Sequence, residues 1–276
     1  MPILAVEHVR PMRGGAQSHL LRAEDGHYYV VKFTNNPQGR RILANELLGA
    51  RLARGLGLPV PPVALVEVPP SLVDRSPGLV LRIQGALVPC SSGLQFGSRF
   101  PLPDPHAPIW DYLPEPGLEL IANRRDFAGM LVFDKWTCNC NGRQVIFCRP
   151  GARRPLQVFM VDQGFCFNGE DWKFPDSPLR GVYCRNMVYA GVAGWPSFEP
   201  WLSNVENYDP EAIYALADEV PPAWTGGYDA LEQLLANLVR RRQRVREQIS
   251  QVKGSARAPF ENWLEAAPMA VEAAGA

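Results

Sequence analysis

A lysine within an apolar strand is hard to accommodate, and the run YYVVKF at residues 28–33 contains one. Strand alternation puts Tyr28, Val30 and Lys32 on one face and Tyr29, Val31 and Phe33 on the other. The ammonium must either snorkel to solvent or meet an anion, and a solvent-facing edge position is the ordinary outcome. The run at 18–23 joins this strand across Asp25-Gly26, a hairpin signal. Residues 40–54 then carry helical spacing, with Ile42, Leu43, Leu47, Ala50 and Ala53 in one stripe. Gly55 and Gly57 end that helix. Further strands are expected at 63–68 and 78–83, so the first third reads as a small sheet with one helix.

The middle is loop-rich, with prolines from 101 to 116 and a Gly-Ser stretch at 91–98, and a boundary is expected near 85–92. A helix starts at Asp126 in RDFAGMLVFDKW, and strands follow at 144–148 and 157–162. Near the end, Leu231, Leu235, Leu238, Arg242, Val245 and Ile249 step alternately by four and three, one amphipathic seam broken once by arginine. The alanine-rich end after Gly254 is expected to fray. No internal repeat is present.

The 28 basic and 28 acidic residues balance, which excludes a generally basic nucleic-acid binder and an acidic solvating protein. No apolar run approaches the roughly 18 residues of a membrane span, and residues 3–6 do not make a signal sequence. A cytoplasmic location is the expectation. Six cysteines, none in a CxxC pair, then read as reduced thiols. Cys138, Cys140 and Cys148 faintly suggest zinc, but no histidine follows nearby, and buried thiols are the preferred reading. The arginines at 240, 241, 242, 244 and 246 would either touch nucleic acid or an acidic partner, or form the exposed face of a docked helix. The charge balance favours the latter. The tryptophans, Trp136, Trp172, Trp195 and Trp201 among them, read as core and loop anchors.

Four features carry chemistry through their order. RGGAQSHLL at 13–21 places a glycine pair before a strand, where amides can approach phosphate oxygens, although such a pair is commonly just a turn. Lys32 lies on the next strand. Glu46 follows fourteen positions later on a helix, where kinases orient a phosphate-binding lysine, or where any solvated glutamate would sit. VFDKWTCNCNGRQVIF at 132–147 precedes FMVDQGF at 159–165, and Asp162 stands at a strand end before glycine, as a magnesium ligand does in phosphotransferases.

Together with ANELLGARLARGLGLPVPP at 44–62, this order resembles the HipA-like kinase family over about residues 13–189. The resemblance implies an α+β, two-lobed protein-kinase-like fold of the HipA and phosphatidylinositol-kinase type. A small β-rich N-lobe would span 1–88, a mostly helical C-lobe 89–254 and a flexible tail 255–276. It implies ATP and Mg²⁺, with Gly14, Gly15, Ala16, Gln17 and Ser18 as the phosphate loop. Lys32 would meet the phosphates, Glu46 would steady it, and Asp162 would bind the metal. The partners implied are nucleotide and a protein substrate or partner, with no nucleic acid and no membrane.

The catalytic loop departs from the family pattern. Asn139 falls on its first asparagine, Asn141 on the catalytic aspartate, Arg143 on the histidine and Ile146 on the metal-binding asparagine. An asparagine can orient a hydroxyl but cannot take its proton. Asp134, five positions before Asn139, offers an alternative base or a structural end to the preceding helix. Carbonyl oxygens of Asn139 and Asn141 could replace the missing metal ligand. The chain is therefore expected to be a serine/threonine-directed phosphotransferase, or a degenerate kinase-fold module that binds nucleotide or a protein without catalysis.

Overall fold

Residues 1–151 and 153–264 are described by the computed structural model. The hairpin at Asp25-Gly26 forms as expected, joining His19–Ala23 to Tyr28–Lys32, with Gly26 at φ +80. An earlier strand, Ile3–Pro11 (β1), escaped the sequence reading. Register shifts between Ala5 and Glu7 and between His8 and Arg10 break its alternation, so no clean two-residue period is visible. It pairs with His19–Ala23 (β2), which pairs with Tyr28–Lys32 (β3).

Strands β4 (Val63–Val68), β5 (Val80–Ile83), β6 (Ala86–Pro89) and β7 (Gly93–Arg99) follow. β5 and β6 form a separate hairpin. β7 lies between β3 and β4, and β1 pairs in parallel with β4, closing a barrel in the order β1-β2-β3-β7-β4. The boundary expected near 85–92, and the division at residue 88, therefore fall inside the barrel unit. From Gly93 onward the glycine-and-serine stretch is a strand, because Leu94 and Phe96 alternate within it and the flanking strands supply both ladders. Tyr29, Val31 and Phe33 face the barrel core with Leu21, Val66 and Val68, so Lys32 lies on the opposite face.

The first helix, α1 (Arg41–Gly55), is buried nearly all round, beyond the single stripe its apolar spacing implies. It crosses the centre of the molecule, with Leu43, Leu47, Leu48 and Leu52 packed into the largest core. Each fully buried leucine contributes roughly 1.5–3 kcal/mol. Its end is a two-bond cap: Gly57 N–H donates to Arg54 O at 2.9 Å and Leu58 N–H to Ala53 O at 3.0 Å, with Gly57 at φ +74.

The helices that follow are α2 (Pro70–Asp74), α3 (Glu115–Glu119), α4 (Asp126–Trp136), α5 (Trp201–Glu206), α6 (Pro210–Tyr214), α7 (Pro222–Thr225), α8 (Tyr228–Arg241) and α9 (Val245–Lys253). The hairpin β8 (Gln144–Cys148) and β9 (Gln157–Val161) follows α4. The expected last helix is two, because Arg242–Arg244 forms a tighter turn where arginine interrupts the seam. Arg242 bends to donate to Val239 O and Tyr208 O.

The arginine cluster is largely engaged inside the fold. Arg241 is buried and donates to Trp136 O, Lys135 O and Asp176. Arg244 pairs with Asp176, and Arg246 with Glu206 and Glu199. These arginines face carboxylates and carbonyls rather than forming a uniformly exposed basic face. The expectation of fraying after Gly254 also needs correction: Phe260 and Trp263 pack with Trp195 and Phe198. Residues 265–276 of the expected tail lie outside the described residues. All six cysteines are free, with Cys184 exposed and Cys138 and Cys148 buried. Among the described residues, no helix is long and apolar enough to cross a membrane.

Gly57→Ala should lower stability by about 1 kcal/mol through backbone strain alone, since a Cβ there meets nothing within 4 Å. Urea unfolding of the two proteins measures it.

Candidate active site

Lys32 ends β3 on the face turned towards α1, and it meets two anions. Its Nζ donates to Glu46 Oε1 and to Asp162 Oδ1, the latter at 2.8 Å. Both its burial and its partners depart from a solvent-facing edge lysine.

Glu46 does more than hold the lysine. Gln163 N–H donates to its Oε2 and Gly164 N–H to its Oε1, each at 3.0 Å. One position earlier, Asn45 Nδ2 donates to Gly164 O, Cys166 O and Gly169 O, while its Oδ1 accepts from Trp172 Nε1 at 2.7 Å. Two adjacent side chains of α1 thus clamp the segment after Asp162. The approach is close enough to require glycine: a Cβ on Gly164 would lie 2.7 Å from Ile42 Cγ2, and one on Gly49 would lie 2.7 Å from Gln163 Cβ. Asn45 is the residue whose role sequence reasoning missed. Its signal was a weak helix former inside an apolar run.

The clamp holds Asp162 at φ +58, a left-handed conformation that aspartate tolerates better than most residues. Burial works against ionisation of Asp162, but Lys32 and Arg143 outweigh it and hold the carboxyl below its ordinary value. Burial also works against the Lys32 charge, yet Glu46 and Asp162 more than offset it and raise the lysine's pKa. Burial pushes Glu46 upward against the pull of Lys32.

The loop after α4 is organised around Asp134, whose side chain is fully buried. Arg143 Nε donates to Asp134 Oδ2 at 2.9 Å and its Nη2 to Oδ1, where Asn139 Nδ2 also donates at 2.9 Å. Both carboxylate oxygens are occupied, so Asp134 takes the structural role at the helix end and is not placed to act as a base. Arg143 is equally enclosed, with Nη1 donating to Val161 O and Gln163 Oε1, and it has no face for a substrate. The metal role expected of Asn139 is opposed by its burial and by its existing bonds. Its nitrogen serves Asp134 and its oxygen accepts the Asn141 N–H at 3.1 Å. Ile146 faces Phe159 across the hairpin. Asn141 and Gly142 stand exposed at the loop apex, tied to the Asp162 segment through Cys140 N–H donating to Phe165 O.

In the glycine loop, Gly14 has φ +126 and Gln17 φ +50. The Gln17 side chain accepts from Arg82 N–H at 2.7 Å and donates to Arg82 O at 2.9 Å, fastening the loop to β5 instead of leaving an amide for a phosphate. Ala16 and Ser18 are buried. The Gly15 and Ala16 N–H groups have no hydrogen-bond partner among the described residues. Between barrel and β8–β9 hairpin lies a separate apolar cluster of Leu20, Phe100, Leu102 and Cys148, flanked by Val30 and Phe159. A cavity of about 340 Å³ adjoins it at Tyr28, Phe100 and Phe159.

The strand lysine, helix glutamate and strand-end aspartate thus meet in one place, and comparison with known proteins gives them a family. Residues 6–144 match the family described as HipA-like kinase. The chain belongs to that family. Its fold is shared with kinases of known structure. A Helicobacter pylori proinflammatory kinase, CtkA, matches with a TM-score of 0.56 at 14% identity, over 91% of this chain and 99% of that one. Hydra Fam20 with sugar matches at 0.54 and 12%, over 91% and 86%. The Golgi casein kinase with Mn/ADP bound matches at 0.53 and 12%, over 95% and 75%. No curated protein sequence matches the chain.

In this member of the HipA-like kinase family, two measurements check the electrostatics. Asp134→Ala should cost about 3–5 kcal/mol by stranding Arg143 without its charge partner, read from urea unfolding. Lys32, its pKa raised above 10.5, binds its proton more tightly folded than unfolded. Its contribution is therefore complete below pH 10.5 and lost as pH rises through the folded value. The stability difference between the wild type and Lys32→Met should accordingly stay level at neutral pH and shrink only on the alkaline side of 10.5.

Proposed function

We propose that this HipA-like kinase is an ATP- and magnesium-dependent phosphotransferase acting on a protein serine or threonine. The barrel, through Arg99, would form its smaller lobe, and the helical remainder the larger. The observation that carries this reading is the ion triad of Lys32, Glu46 and Asp162. Phosphoryl transfer depends mainly on positioning and charge neutralisation, and a lysine held by two carboxylates is a fixed positive charge for phosphate oxygens. Glu46 sets its direction while anchoring the backbone of Gln163 and Gly164. The free Gly15 and Ala16 amides supply further donors, and the apolar cluster around Leu20, Val30 and Phe159 supplies a face for the base.

The donor set fits magnesium. Two carboxylates against one ammonium leave the triad with excess negative charge, and Asp162 is the more accessible carboxylate, 23% exposed at its side chain against 4% for Glu46. One or two carboxylates with phosphate oxygens and water are a usual magnesium set, so Asp162 would hold the ion. The ion, when bound, offsets charge on the phosphates. The Golgi casein kinase bound to Mn/ADP supports a nucleotide and a divalent ion at a site of this fold.

A second reading, a module that binds nucleotide or a protein without transferring phosphate, is favoured by Asn141. An exposed amide stands there in place of a base, and it can orient a hydroxyl but not deprotonate it. Calorimetric titration with ATP, with and without magnesium, tests the site. Wild type should bind more tightly with the metal, and Asp162→Ala should lose that gain together with transfer of labelled phosphate to a protein acceptor. Equal metal dependence in the variant would sink the assignment of Asp162, while intact binding without any transfer by wild type would favour the second reading.

A further inference from the structure

The residue that weakens the catalytic reading is followed by glycine. Asn141-Gly142 is exposed on both residues, and Gly142 N–H donates to Asn141 Oδ1 at 2.8 Å. The backbone nitrogen of one residue therefore lies against the side-chain amide of the residue before it. A Cβ on Gly142 would find only Val182 O, at 3.7 Å, so nothing shields the pair from water. The feet of the loop are fixed: Asn139 and Arg143 both hold Asp134. Asn141 itself is anchored through its N–H to Asn139 Oδ1 and through its carbonyl to Gly181 N–H. Its side-chain nitrogen donates to nothing among the described residues.

We propose that Asn141 is a self-modification site, converting to aspartate by cyclisation onto the Gly142 nitrogen and so creating the carboxylate that the loop lacks. The Gly142 nitrogen gives up its proton and bonds to Asn141 Cγ. The bond from Cγ to the side-chain nitrogen breaks, and ammonia leaves. Water then opens the five-membered imide at Cγ, restoring the main chain with a carboxylate at 141, or at the other carbonyl, giving the isoaspartyl form. The sum is amide plus water to acid plus ammonia, with no oxidant, reductant or other reactant.

The chain carries its own control. Asn168-Gly169 has the same two residues, but Asn168 Nδ2 donates to Asp171, its Oδ1 accepts from Arg180, and its N–H donates to Cys138 O. Gly169 is buried and its carbonyl accepts from Asn45. That amide is held away from the cyclising geometry, so conversion is selective for 141. The inference rests on the phosphotransfer reading only for its consequence, that a carboxylate at 141 serves as the base.

The test uses the full chain, purified cold at mildly acidic pH and then warmed in mildly alkaline buffer. Mass spectrometry of the tryptic peptide 136–143 should show growing amide-to-acid exchange at Asn141, the aspartyl form among the products, while Asn168 stays unchanged. Gly142→Ala, which the space admits, should slow the exchange several-fold. Phosphate transfer should rise with the converted fraction, and Asn141→Asp should start higher by roughly 10²–10⁴-fold. An unchanged peptide, equal conversion at Asn168, or a wholly isoaspartyl product overturns the proposal, even if Asn141→Asp is active. Failure of both wild type and Asn141→Asp to bind ATP is a different result: it removes the phosphotransfer reading and the proposed consequence with it.

Discussion

Glu46 is the point at which the barrel, the central helix and the strand-end aspartate are joined. Its carboxylate accepts from the Lys32 ammonium and from the backbone N–H groups of Gln163 and Gly164. Charge-assisted bonds of this kind are the stronger ones, and a low-dielectric setting increases both their value and the cost of losing one. Because the donors come from β3 and from the turn after β9, one side chain fixes three elements relative to each other. Asn45 repeats the arrangement with neutral bonds one residue earlier, so α1 and the Asp162 segment behave as one rigid piece.

A second ionic centre, Asp134 with Arg143, has a different part in the architecture. Both partners are enclosed, and a buried pair of this sort is weak evidence for added stability, although removing one partner would strand the other charge. Arg143 ties the loop after α4 to Val161 and Gln163, the residues either side of Asp162. The two centres therefore meet across a single residue. Two backbone positions next to Asp162 are held from opposite sides, which accounts for a left-handed aspartate persisting there.

Much of this is legible in the sequence. Lys32, Glu46 and Asp162 stand out in sequence because a charge in an apolar run demands a partner, and the structure brings the three together. Local periodicity also found β2, β3, α1, β4, β8 and β9 to within a residue or two. The glycine-and-serine run that contains most of β7 reads as loop, since its strand character comes from neighbours on both sides rather than from its own composition. The roles of Asn139, Arg143 and Asp134 were hidden for a related reason. Spacing can assign a residue to a loop, but it cannot say which of its atoms already have partners.

The placement of β7 has a consequence for how the chain is made. The strand that fits between β3 and β4 and closes the barrel lies beyond the β5–β6 hairpin, so its ladders on both sides wait until residue 99 has been synthesised. Until then β3 presents an open edge carrying Val30 and Lys32, with unpaired backbone groups that invite another chain. A nascent chain halted just short of Gly93 would hold nearly all the barrel's residues and still be unable to close it. Folding of this unit is therefore gated by its last strand, and slow passage through the intervening residues is the period in which misassociation is most costly.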